Sequence, residues 1–61
     1  SMEEILKAAY IKWRKNRRSI MEDFDAGFDR GQEHTFETLI GIVYGKEALN
    51  TTIAWIEEAG E

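Results

Sequence analysis

The sequence predicts an all-α fold, a helical hairpin followed by a third helix, which homodimerisation completes. The chain has 61 residues and no proline, the residue that most disfavours helix interiors. Its apolar residues recur in steps of three and four, the spacing of one helical face. Three helices are predicted, at about residues 3–17, 20–44 and 46–59, in a single domain that covers 1–61.

The first predicted helix has acidic residues in its first turn and basic residues toward its end, as the helix dipole favours. Its apolar stripe consists of Met2, Ile5, Leu6, Ala9, Tyr10 and Trp13. Ser19 and Glu22 have the S-x-x-E spacing of a capping box, and Asn16 is suited to closing a helix, which together predict a turn at 17–19. The alternative is one unbroken helix, since the stripe can continue to Ile20 and Phe24.

The second predicted helix carries glycines among its apolar positions. These positions are Ile20, Met21, Phe24, Phe28, Phe36, Leu39, Ile40, Ile42, Val43 and Tyr44. Gly27, Gly31 and Thr35 form a line of small residues, and each glycine costs the helix about 1 kcal/mol relative to alanine. Close approach of another helix would explain this cost. The alternative is a break at residues 29–32 and a new helix capped by Thr35.

The third predicted helix follows Gly45, which is expected to end the second helix at positive φ. Its stripe consists of Ala48, Leu49, Thr52, Ile53 and Ile56, with Trp55 beside it and Gly60 at its end. Residues 50–53 have weak helix propensity, so an extended conformation is the alternative there.

Self-association is expected because so short a chain hides only about 60% of the surface that it exposes when unfolded. The chain has no cysteine and thus no disulfide to stabilise it. Residues 39–44 are apolar nearly all round, and such a helix must be covered on every side. The residues predicted to form the core or the dimer contact are Phe24, Gly27, Phe28, Gly31, Phe36, Leu39, Ile40 and Val43.

Composition narrows the class of protein. Hydrophobic residues make up 43% of the chain, which is too many for a disordered tail. No apolar run approaches the roughly 18 residues of a membrane span, so a cytoplasmic protein is expected. Ser1 before Met2 is typical of the scar of a cleaved tag, and Met2 is expected to be the natural start.

Charge is divided unevenly along the chain. The net charge is −4, but residues 1–18 hold six cations against two anions, and residues 19–61 hold two cations against ten anions. The basic residues Lys12, Arg14, Lys15, Arg17 and Arg18 surround Trp13. In a hairpin they would lie against the acidic start of the second helix; alternatively, they contact nucleic acid or an anionic protein.

Acidic residues recur at helical spacing along the second helix. Glu22, Asp25, Asp29, Glu33 and Glu37 would form a ridge of roughly 22 Å at about 1.5 Å per residue. Such a ridge is a solvated face, a contact for a protein partner, or an imitation of DNA phosphates. Trp13 and Trp55 are interpreted as core or dimer residues, or as partner contacts of the kind that interfaces favour.

Catalytic chemistry finds little support in the sequence. Glu33, His34 and Glu37 lie within one turn, but the repeated E-x-x-H pairs of di-iron bundles are missing. No nucleophile motif or phosphate-binding glycine loop occurs either. We therefore expect no enzyme activity, no cofactor and no metal.

The helix DFDAGFDRGQEHTFETL and the terminal segments YGKEAL and IAWIEE resemble the small accessory proteins of bacteriophages. Short dimeric anti-defence proteins, such as the inhibitors of the Hachiman system, are similar in size. The resemblance implies a non-enzymatic homodimer that binds and blocks a host or defence protein. The alternatives are a small nucleic-acid-binding regulator that uses residues 12–18 and a DNA mimic that uses the acidic residues of 22–37. A purely structural assembly subunit is a third possibility.

Overall fold

The computed structural model describes residues 1–19 and 25–60 and shows an all-α fold. Helix α1 runs over Met2–Ser19 and helix α2 over Ala26–Tyr44. A 3-10 helix at Gly45–Glu47 leads into helix α3 at Ala48–Glu58. The predicted fold class, a hairpin with a third helix, is thereby confirmed.

Helix α1 is longer than predicted. It continues to Ser19, so the predicted turn at 17–19 is wrong, and Asn16 lies inside the helix. The last turn is held by Arg17, whose guanidinium reaches Asp29 of α2 at 2.7 Å. The predicted partner of Ser19 in the capping box, Glu22, lies outside the described residues.

Helix α2 begins at Ala26, six residues later than predicted. Asp25 is the N-cap, with an extended backbone, and its carboxylate accepts hydrogen bonds from the N–H groups of Gly27 at 2.9 Å and Phe28 at 3.1 Å. An aspartate N-cap marks the start of a helix because its own φ and ψ are not helical. The helix cannot therefore run unbroken from residue 20.

The continuity of α2 through its glycines is confirmed. Residues 26–44 are helical without interruption, and the alternative of a break at 29–32 is wrong. Thr35 does not cap a new helix, since its hydroxyl donates to the carbonyl oxygen of Gly31 at 3.1 Å inside the same helix.

Gly45 ends α2 as predicted, at φ 58° and ψ −127°. Its N–H donates to the carbonyl oxygen of Gly41, and the positive φ turns the chain into the short 3-10 helix. Residues 50–53 lie in α3, so the extended alternative is wrong.

The core lies where the three helices meet. Its buried residues are Leu6 and Tyr10 from α1, Ile40 from α2 and Trp55 from α3. Around Tyr10 the rings of Trp13, Phe36 and Trp55 have centroids 5.3–5.8 Å away. Such aromatic pairs add to the stability that burial of their area provides.

Within the described ranges, no helix combines the length and the apolar character that crossing a membrane requires.

Candidate interaction surfaces

The basic end of α1 lies against the start of α2. Arg17 is 2.7 Å from Asp29 and 3.7 Å from Glu33, and Arg14 is 3.4 Å from Glu33. This is the internal pairing that the uneven charge of the sequence suggested. The hairpin is therefore joined by ion pairs at its closed end.

Trp13 takes part in the same contact between α1 and α2. The guanidinium carbon of Arg17 lies 4.9 Å from the centroid of its ring, a cation–π distance. Its indole N–H donates to the side-chain oxygen of Gln32 at 3.0 Å. Trp13 is half-buried and connects α1 to α2 within the chain.

The residues considered for nucleic-acid binding do not share one surface. Arg14 and Arg17 turn toward α2, and the side chain of Arg18 lies outside what the structure describes. Lys12 and Lys15 are exposed. Of the described basic side chains, Arg14 and Arg17 therefore contact α2, whereas Lys12 and Lys15 lie on the surface.

The predicted acidic ridge is divided too. Asp29 is only 8% exposed and Glu33 is half-buried, both beside arginines, while Asp25 caps α2. Glu37 is exposed, and Glu22 is not among the described residues. Of the described ridge residues, two therefore pair with arginines of α1, one caps α2 and one lies on the surface.

Trp55 lies in the core with 6% of its surface exposed. It packs between Tyr10 and Tyr44, with ring centroids 5.8 and 5.5 Å away. Of the two interpretations given for Trp55, the structure agrees with a core residue, and a ring enclosed by three helices has little surface to offer a partner.

The residues predicted for core or dimer contact separate into two groups. Ile40 is fully buried and Phe36 packs against the core. Phe28 is 66% exposed, and Leu39 and Val43 are also exposed, so the expectation of a core role fails for them and only the dimer role remains. Phe24 lies outside the described residues.

One side of α2 is exposed and carries no charge. With about 100° between successive residues, the large apolar residues Phe28, Leu39, Ile42 and Val43 share this side with Gly27, Gly31, Gln32, Thr35 and Thr38, and all nine are exposed. We call these nine residues the uncharged face. Beside it lies a groove between α1 and α2 with apolar walls, to which α1 contributes Met2, Ile5 and Ala9.

The glycines of the uncharged face have no close neighbour from another helix. A Cβ added to Gly31 would meet nothing within 4 Å, and one added to Gly27 would meet only Asp25 Oδ1, at 3.4 Å. The close approach that the sequence analysis expected therefore does not occur within the described part of the chain.

A second exposed apolar pair lies on α3. Leu49 is 71% exposed and Ile53 is 47% exposed, and their spacing of four residues places them on one side of the helix. We call this pair the α3 patch. Both residues belong to the predicted stripe of the third helix, and periodicity alone does not distinguish the covered members of a stripe from the exposed ones.

The titratable residues form no metal site in the parts of the chain that are described. No group of three or more histidine, aspartate or glutamate side chains is placed to hold an ion there.

The chain was compared with protein-family models, with curated proteins and with solved structures, and none of the three comparisons gave a match.

Proposed function

We propose that this protein is a non-enzymatic homodimeric binding module that attaches to a host or defence protein and blocks it. The observation that supports this function is the distribution of apolar side chains. Among the described residues, four hydrophobic side chains are buried in the core, whereas eight large ones are exposed. Monomeric soluble proteins rarely expose contiguous apolar patches, and larger ones mark interaction sites.

Two separate surfaces allow two separate contacts. The uncharged face of α2 takes a second copy of the chain, and the α3 patch takes the target. Leu49 and Ile53 supply the apolar centre of this contact, and Glu57, one turn beyond Ile53, lies at its polar rim. The resemblance to phage accessory proteins supports a blocking role for such a module.

The α3 patch can be tested by capture from a bacterial lysate with quantitative mass spectrometry. The double variant Leu49→Glu with Ile53→Glu is compared with Ala54→Glu, which adds a charge to an exposed position of the same helix. We expect the target to be retained by wild type and by Ala54→Glu, and its recovery to fall at least tenfold with the double variant.

Equal recovery by all three proteins would place the target contact elsewhere and contradict this assignment. Circular dichroism shows whether the double variant keeps its helices. The blocking role is tested in cells that carry the target: expression of the wild type should lower the target's activity, and expression of the double variant should not.

A nucleic-acid-binding regulator is the competing function, since Lys12 and Lys15 remain exposed. It requires affinity for duplex DNA that falls steeply as salt rises, because cations that contact phosphates displace bound counterions. We expect no such binding at physiological salt. Salt-dependent binding that Lys12→Glu with Lys15→Glu abolishes would overturn the proposed function.

A further inference from the structure

The uncharged face is unusual in a chain of which 33% of residues are charged. It extends along α2 from Gly27 to Val43. The charged residues of α2, such as Asp29, Glu33 and Glu37, lie on the other sides of the helix. An interface with such a surface buries no unpaired charge, which is the costliest defect in association.

We infer that the protein dimerises by pairing the uncharged face with the same face of a second copy, antiparallel, about a two-fold axis at Thr35. This inference rests on the homodimer of the proposed function and adds its geometry. A two-fold interface is isologous, which means that residue i meets the partner's residue j and residue j meets the partner's residue i.

The spacing of small and large residues favours this register. With the axis at Thr35, Gly31 lies opposite the partner's Leu39. Gly31 thus receives a large apolar side chain in space that the chain itself leaves open. In a parallel pairing, glycine would face glycine, but Leu39 would face the partner's Leu39, and these two large side chains would hold apart the backbones that the glycines allow to approach.

The ends of the face are complementary as well. Phe28 lies opposite the partner's Ile42, and these two side chains are 66% and 76% exposed. Met2 and Ile5 of α1, at the edge of the adjoining groove, are 69% and 65% exposed and extend the contact beyond α2.

The surface area is consistent with a second copy as the occupant. The chain exposes 4583 Å², whereas a compact monomer of its mass is expected to expose about 4,100 Å². A stable dimer of standard size buries about 800 Å² of each partner. Burying such an area removes the excess and covers the exposed apolar side chains of α2.

Disulfide cross-linking tests this geometry, because the chain has no cysteine of its own. Thr35→Cys should form a covalent dimer rapidly on mild oxidation. Phe28→Cys and Ile42→Cys should each fail to do so alone, since about 21 Å would separate the two copies of each residue along the axis. The two proteins mixed should cross-link to each other. Glu37→Cys, on the opposite side of α2, is the matched control and should stay monomeric in a denaturing gel.

A second measurement compares alanine substitutions at two glycines of α2, Gly31 and Gly41. An added Cβ meets nothing within 4 Å at either position. Gly31→Ala puts a methyl group into the gap for the partner's Leu39, and we expect the dimer dissociation constant to rise at least fivefold in analytical ultracentrifugation. Gly41→Ala, off the uncharged face, should leave it unchanged.

The outcomes separate the two proposals. A wild-type protein that is monomeric at high micromolar concentration refutes the homodimer itself. A dimer that cross-links through Glu37→Cys but not through Thr35→Cys refutes the uncharged face as the interface and leaves the homodimer standing. A dimer in which Phe28→Cys, Thr35→Cys and Ile42→Cys each cross-link to themselves refutes the antiparallel register, as does a Gly31→Ala dimer as tight as the wild type.

Discussion

Arg17 is the residue that connects the hairpin most closely. Its guanidinium pairs with Asp29 at 2.7 Å and lies over the ring of Trp13 at 4.9 Å. The side chains of Arg17 and Asp29 are 23% and 11% exposed, so water screens this pair less than a surface pair. Asp29 also lies in the first turn of α2, where a negative charge is favoured by the helix dipole.

Replacing Asp29 therefore tests how much the ion pair with Arg17 stabilises the hairpin. In Asp29→Ala the mostly buried guanidinium of Arg17 loses its nearest carboxylate, and we expect the free energy of unfolding to fall by about 2–3 kcal/mol. Asp29→Asn keeps an oxygen that can accept a hydrogen bond and should lose less. Urea unfolding followed by circular dichroism measures both variants. A loss below about 0.5 kcal/mol in Asp29→Ala would show that the pair behaves as an exposed one.

The helix ends show how single residues define the elements. Asp25 starts α2 through two hydrogen bonds to backbone N–H groups, and Gly45 ends it at positive φ. At φ 58° and ψ −127° a side chain is strained whatever the space around it, and glycine adopts such a conformation at little cost. The change of direction between α2 and α3 depends on this one residue.

Gly45→Ala should destabilise the protein by about 1–3 kcal/mol, the usual cost of a residue held in a sparsely populated backbone region. Gly41→Ala is the control, because Gly41 lies inside α2 and alanine favours a helix by about 1 kcal/mol relative to glycine. The two variants should therefore shift the thermal midpoint in opposite directions. A thermal midpoint of Gly45→Ala equal to that of the wild type would show that the backbone at residue 45 relaxes without cost.

The whole molecule has a small core and a large apolar surface. Four buried side chains hold three helices together, and the principal extents of the chain are 35 × 21 × 19 Å. A chain of this size buries too little surface for high stability alone. Association, if it covers the uncharged face, adds stability that depends on protein concentration.

The thermal midpoint should thus rise with concentration, because dilution favours the dissociated chain. For a domain of this size we expect about 3–6 °C for each tenfold increase in concentration. Differential scanning calorimetry over a hundredfold range measures it. Ile42→Glu, which places a charge on the uncharged face, should give a lower midpoint that no longer changes with concentration. A wild-type midpoint independent of concentration would contradict a folding-coupled dimer.

Much of the fold was predictable from local signals. The helical stripes, the stop at Gly45 and the continuity of α2 through Gly31 all depend on interactions within a few residues. The end of α1 was not predictable from local signals, since its last turn is paired with α2 through Arg17 and Asp29, and Asp29 comes twelve residues later in the chain. The aspartate cap of α2 was not predicted, because the S-x-x-E spacing of Ser19 and Glu22 placed the start of the second helix near residue 20.

By itself the sequence determined the helical class, the order of the helices and the opposite charges at the two sides of the hairpin, because periodicity and charge are properties of neighbouring residues. Only the tertiary structure decided which members of each stripe are covered. Ile40 is buried and Ile42 exposed, although they are two residues apart, because the other two helices pack on one side of α2. Burial depends on where those helices lie, and a stripe of apolar residues does not encode that.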